Sequence, residues 1–278
     1  MAEKINPLLL KLNKSNAMPG MTFRLPSKGL PYKGTDIIDE DVKDGEIVVH
    51  PMSTLDEIYL KTPDMLFQGT AVEKTISRCC PQIKKPLELL SKDVDYILTC
   101  MRLVSYGNII TVPYKCTCEK SKEINLEIPI NGFLSKTKTI DEKDLENLRF
   151  ELDGFLFKIK YVSFKQMLDL NQDTMTGIQD ETPEELFDLF IKNLAVNIES
   201  IDNVEDQEMI VEFLKAQQRK FQMAVLDRIH KVNDWGVNFE YKHICKWCNK
   251  SENIPIALNP VSFFTEPSNQ VTQSESES

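Results

Sequence analysis

Long apolar runs, glycine-rich loops and histidine clusters are all missing from this sequence, and each absence removes a class of function. No stretch approaches the ~20 apolar residues that span a bilayer. Near the start only Pro7–Leu10 is apolar, too short for the core of a signal peptide, and no small-residue cleavage site follows. The protein is therefore expected inside a cell while it is made. Glycine numbers 10 in 278 residues and never forms a phosphate-cradling loop. The three histidines, His50, His230 and His243, are scattered, and neither an HExxH nor a GxSxG element is present. Carboxylate pairs such as Asp39-Glu40 and Glu184-Glu185 sit at loop or helix-start positions, where solvation and the helix dipole account for them. An enzyme is not expected, and neither is a small-molecule substrate.

What is present is ordinary globular material. Hydrophobic residues make up 41% and charged residues 27%, enough for one large or two modest cores. The net charge of −10 repels phosphate backbones, so nucleic acid is a poor first partner.

The cysteine count is odd, at seven. In an intracellular protein this favours thiols and metal ligands over a disulfide framework. Cys79, Cys80 and Cys100 lie in helix-like apolar stretches and read as small buried side chains. The remaining four form two pairs, Cys116 with Cys118 and Cys245 with Cys248.

Local patterns give an α+β fold. Residues 1–22 read as a flexible arm, and 23–107 as an extended segment followed by a helical unit. In that unit Ser53 with Asp56 opens one helix, Pro63 a second, and a third runs over Thr70–Cys79 after Gly69. A fourth begins near Asp93 and ends at Gly107. Residues 108–264 read as β-hairpins with a helical region. Strands are expected at 109–115 and 123–130, then at 149–152 and 155–162 around the hairpin turn Asp153-Gly154. Helices are expected at 164–170, from Thr182-Pro-Glu-Glu185 to Val196, and as one long stretch over 205–232. Strands at 237–242 and 253–258 flank the last cysteine pair. The polar end, 265–278, lacks packing residues and is expected to be a disordered tail.

The two cysteine segments resemble each other. Tyr114-Lys115 leads into Cys116-Thr-Cys118, and Tyr241-Lys242 leads toward Cys245-Lys-Trp-Cys248. After the last cysteine of each comes x-Lys-Ser, followed by alternating apolar residues: Ile124, Leu126 and Ile128 in one, Ile254, Ile256 and Leu258 in the other. Each is a hairpin with a thiol tip. Two such tips supply the four ligands of a tetrahedral structural zinc site, zinc-ribbon-like, with no position left for water or substrate. His243 offers a substitute ligand. The plain alternative is four free thiols, two of them a redox pair, but a thioredoxin-like Cys-x-x-Cys opens a helix, and β-like sequence follows this one.

Three runs carry a family resemblance: Leu25-Pro-Ser-Lys-Gly-Leu-Pro-Tyr32, Gly45-Glu-Ile-Val-Val-His-Pro-Met-Ser-Thr-Leu-Asp-Glu57, and Thr62-Pro-Asp-Met-Leu-Phe-Gln-Gly-Thr-Ala-Val-Glu-Lys74. The closing segment, Cys245 to Phe264, is a fourth. Together they resemble T4-type tailed-phage baseplate proteins, the hub subunit and hub-assembly proteins of contractile tails. The resemblance implies a structural or assembly protein that docks to other baseplate and hub proteins, located in the host cytoplasm during assembly or in the virion tail. The rigid Leu25–Tyr32 segment is then either a partner-contacting arm or a strap packed on its own domain. A different class remains open: a zinc-ribbon nucleic-acid-binding or transcription-regulating protein, drawing on Lys115, Lys120, Lys122, Lys242, Lys246 and Lys250 near the tips.

Overall fold

A computed structural model describes residues 19–118, 122–175, 182–257 and 263–264. Both the 265–278 tail and most of the N-terminal arm lie outside the described residues. Residues 21 and 22, expected in that arm, instead begin a strand. Met21–Arg24 (β1) pairs antiparallel with Glu46–Val49 (β2), Met21 facing Val49 and Arg24 facing Glu46. Ile47 and Val49 alternate inward and are fully buried, as a half-buried strand requires.

The segment between β1 and β2 is a strap. Leu25 and Ser27 are fully buried and Tyr32 nearly so, which answers the question of whether 25–32 is a free arm. Its two prolines sit in a run of turns that ends in a 3-10 helix, Leu30–Tyr32, and its polar groups are satisfied inside the fold: Ser27 N and Tyr32 Oη donate to Asp93 at 3.1 and 2.6 Å.

The helical unit follows. Thr54–Leu60 (α1) opens on the expected Ser53/Asp56 capping box, then come Pro63–Phe67 (α2) and Thr70–Cys79 (α3). Gly69 separates the last two at φ +74°, and a Cβ there would stand 2.2 Å from Leu168 Cδ1. Only glycine fits both the backbone and the close approach. Ser91–Tyr106 (α4) is the central helix, its Val94, Ile97, Cys100 and Met101 fully buried.

Beyond α4 the chain forms the hairpin Ile109–Tyr114 (β3) with Ile124–Pro129 (β4), then the short helices Asn131–Leu134 (α5) and Glu142–Glu146 (α6). Arg149–Leu152 (β5) and Phe155–Ile159 (β6) make the expected hairpin, with Asp153 and Gly154 both at positive φ. Phe164–Met175 (α7), Pro183–Ala195 (α8), Ile198–Ile201 (β7), Gln207–Lys215 (α9) and Arg219–Val232 (α10) follow. Glu240–Ile244 (β8) and Ser251–Pro255 (β9) form the last hairpin. Every strand pair described is antiparallel, so the α+β class stands.

Two sequence expectations change. The single helix over 205–232 is two helices, because buried Gln222 turns its amide onto the carbonyls of Leu214 and Gln217 at 2.9 and 3.2 Å and caps α9 there. β7 was not expected at all. It joins the edge of β6 and completes a three-stranded sheet.

The buried side chains fall into two clusters. One core gathers the strap, α3, α4, the β3–β4 hairpin, Trp235, Ile256 and Phe263–Phe264. Its apolar members lie on both sides of residue 107, and Arg102, buried in α4, donates to the carbonyls of Phe263 and Ile109 at 2.8 and 3.0 Å. The second core lies between β6, β7, α8, α9 and α10, around Phe157, Ile191, Leu214 and Val225.

Candidate metal centre

Each cysteine pair sits at the tip of a regular hairpin, so its position follows from strand register. On the first hairpin Tyr114 faces Ile124 as the last paired position, and Cys116 and Cys118 follow beyond the ladder. Residues 119–121, which complete the x-Lys-Ser similarity, lie outside the described residues. On the second, Ile244 faces Ser251, and Cys245 to Cys248 form the connecting turn. That turn is closed by backbone bonds from Cys245 N to Lys250 O (3.0 Å) and from Asn249 N to Cys245 O (2.8 Å), with Asn249 at φ +56°. Asparagine tolerates this left-handed position better than most residues.

The hairpins meet through matched contacts along their length. Tyr114 Oη donates to Glu252 Oε2 at 2.6 Å, and Lys250 pairs with the same carboxylate at 2.6 Å. The Tyr114 ring stands edge-on to His243 at 4.9 Å. Lower down, Phe239 packs against Phe133 at 5.9 Å, and Leu126, Ile128 and Ile256 are buried in the main core. Tyr114 of the first hairpin, with Glu252 and His243 of the second, therefore links the two hairpins next to their tips.

This packing brings together all four cysteines named from the sequence. Cys116 Sγ lies 3.8 Å from Cys248 Sγ, and Cys118 Sγ 3.9 Å from Cys245 Sγ. The four sulfurs are mutually within 4.8 Å. A disulfide would require about 2.05 Å, and all four are free thiols. A tetrahedron with metal–sulfur bonds of about 2.3 Å has sulfurs about 3.8 Å apart. The observed spacing fits that geometry. Cys116 and Cys245 are buried, Cys118 is half-buried and Cys248 is exposed, so one side of the cluster faces solvent and gives an ion a way in. His243 is not in the cluster; its place in β8 commits the ring to Tyr114.

Two of the four thiols are shifted in opposite directions. The backbone N–H of Cys118, against the cost of burial, holds the Cys116 thiol down to about 7. Burial, together with the surrounding thiols, pushes Cys118 up to about 12. Cys116 thus ionises more readily than Cys118, and a bound cation would favour the thiolate form of both. Among the described residues no fifth ligand joins the four sulfurs, so an ion held by all four would have a closed tetrahedral sphere.

The other cysteines behave as expected of core residues. Cys79, Cys80 and Cys100 are buried and free, and burial raises all three thiols, Cys79 to about 12. None has the character of a nucleophile. His230 is an exposed residue of α10, and His50 N donates to Cys79 O at 2.8 Å. What the sequence reading missed was the Tyr114–Glu252 link. The Tyr-Lys that precedes each pair was its signal.

Residues 36–265, which include all four cysteines, match the model of a family described as T4 bacteriophage base plate protein. No curated protein and no solved structure matched. Because the match spans most of the chain, and the hairpins that carry the thiol tips lie wholly within it, this chain belongs to the T4 bacteriophage base plate protein family.

Proposed function

We propose that this chain is a structural or assembly subunit of the hub of a contractile-tail baseplate, and that it works by docking to other baseplate proteins rather than by catalysis. Family membership over residues 36–265 is the observation that carries the reading. The hub assignment draws on the similarity of 25–107 and 237–264 to hub subunit and hub-assembly proteins. The chain is made in the host cytoplasm and joins the tail there. No helix among the described residues is long and apolar enough to cross a membrane.

Zinc is the ion that suits four clustered thiolates. When bound it supplies a fixed cross-link between the hairpin tips, joining Cys118 and Cys245 across 127 residues of chain. Closing so long a loop costs the unfolded chain entropy, which the ion offsets by holding both ends at once. The protein's own part is to keep β3–β4 and β8–β9 in register, so that the surface beside the tips has one shape for a partner to meet.

Affinity capture of the tagged chain from infected cells, together with deletion of its gene, tests the assignment. The expected result is co-purification with other baseplate proteins and loss of completed baseplates on deletion. Normal baseplates and infectious particles without the chain would overturn it.

A further inference from the structure

A cavity of about 230 Å³ opens where the residues around α6 meet the end of α10, with Asp144, Asn147, Arg228, Lys231, Asp234 and Trp235 in its lining. Trp235 is 5% exposed, and its indole N–H has no acceptor among the described residues. The buried Nε of Arg228 also lacks one, as does the hydroxyl of Tyr161, whose ring packs edge-on to Trp235 at 5.2 Å. Buried donors nearly always have a partner, so the two such donors in the cavity lining, Trp235 Nε1 and Arg228 Nε, point to an acceptor that comes from outside the chain.

The donors are held in place. Lys92 Nζ donates to the Trp235 carbonyl at 2.9 Å, and Gly236 exchanges backbone bonds with Lys138 at 2.8 and 3.2 Å. Arg228 lies over the Phe150 ring at 5.5 Å. The two acids of the lining are engaged with other groups. Asp234 accepts from Lys138 at 2.8 and 2.7 Å, and Asp144 Oδ2 accepts from Asp141 N at 2.7 Å. Counting Lys138 with the lining, three cations face two carboxylates. With Asp234 held by Lys138 outside the lining, Asp144 is the lining carboxylate left to oppose Arg228 and Lys231.

We propose that this cavity binds a single carboxylate, brought by an acidic side chain of a partner protein or by a small free carboxylate. One oxygen accepts from Trp235 Nε1 and the other from Arg228 Nε, with Lys231 at the exposed edge. Guanidinium and carboxylate are matched in shape and charge. One surplus positive charge suits a monoanion better than a phosphate, which carries nearly two negative charges near neutral pH. The cavity is built from residues outside the cysteine cluster, and its ligand is independent of the metal.

The test is titration of the full, metal-replete chain with sodium acetate, against sodium chloride at equal ionic strength, following the indole N–H resonances by NMR. Trp247→Phe assigns the Trp235 signal. Acetate is expected to move that signal saturably and chloride is not. Arg228→Gln should weaken the acetate response at least tenfold. If that variant does not fold, Lys231→Gln on the exposed edge should weaken it about threefold. An end-blocked peptide with one central glutamate, compared with its glutamine counterpart, separates the sources. Tighter binding of the glutamate peptide than of acetate identifies a partner's side chain, and equal binding a free carboxylate. Equal responses to acetate and chloride, or an acetate response unchanged in the folded variant, would show that only water meets these donors and would overturn the proposal.

Discussion

Asp93 is fully buried, and neutral donors hold its carboxylate: Ser27 N at 3.1 Å and Tyr32 Oη at 2.6 Å. Burial pushes its pKa up to about 6, above an ordinary value of 3.8, and the bonds from Ser27 and Tyr32 only partly offset that. The folded form therefore holds its proton to higher pH than the unfolded chain does. Between about pH 6 and 4 the folded state is the better proton binder, so this residue adds stability as pH falls and removes it as pH rises. Asp93→Asn lacks that dependence. The stability of wild type relative to Asp93→Asn is expected to grow by up to about 3 kcal/mol from pH 7 to pH 4, measured by urea unfolding at each pH. A constant difference would show that the carboxylate is solvated. Arg102 is a second costly burial, its charge met by carbonyls and the Tyr106 ring at 4.6 Å. Its bond to Phe263 fixes the neighbouring Phe264, 1% exposed. Phe264→Ala should cost about 3–5 kcal/mol in the same assay, whereas a disordered end would cost nothing.

At the scale of elements, local chemistry was readable wherever it was complete in a few residues. Ser53 with Asp56, Thr182-Pro-Glu-Glu185 and Asp153-Gly154 each encode a start or a turn by themselves, and each stands as read. The break between α9 and α10 was not readable in this way. Ile210, Leu214, Phe221, Val225 and Ile229 keep a helical spacing across it, and no glycine or proline marks it. The break depends on Gln222, whose meaning comes from the carbonyls it reaches. Gln222→Leu should leave those carbonyls unsatisfied and cost about 1–3 kcal/mol, with lowered amide-exchange protection near 214–218. Unchanged protection there would mean that the backbone breaks for another reason. β7 was missed similarly, because four residues joining a sheet edge carry no pattern of their own. The strap over 25–32 shows the same limit: its prolines announced rigidity, but only Asp93 shows which surface it is rigid against.

For the whole molecule, the four ligand candidates were legible because the same hairpin grammar occurs twice, far apart in the chain. What the spacing left unsaid is how the hairpins meet, which rests on Tyr114, Glu252, Phe133 and Phe239. The fold therefore joins its middle to its end by side-chain packing, and a metal held by the thiol cluster, as proposed, would be a second means. Removing the metal with a strong chelator should lower the melting temperature and loosen both hairpins, while the second core around Phe157 and Val225 keeps its amide protection. Equal loss of protection in both cores would mean that the chain unfolds as one unit on metal release.

Elemental analysis of the purified full chain, alongside Cys245→Ser, bears most directly on the thiol cluster as a metal clamp. One zinc per wild-type chain, and markedly less in the variant, is the predicted result. A folded wild-type protein free of zinc and of any other transition metal, or one whose metal content is unchanged by Cys245→Ser, would contradict it.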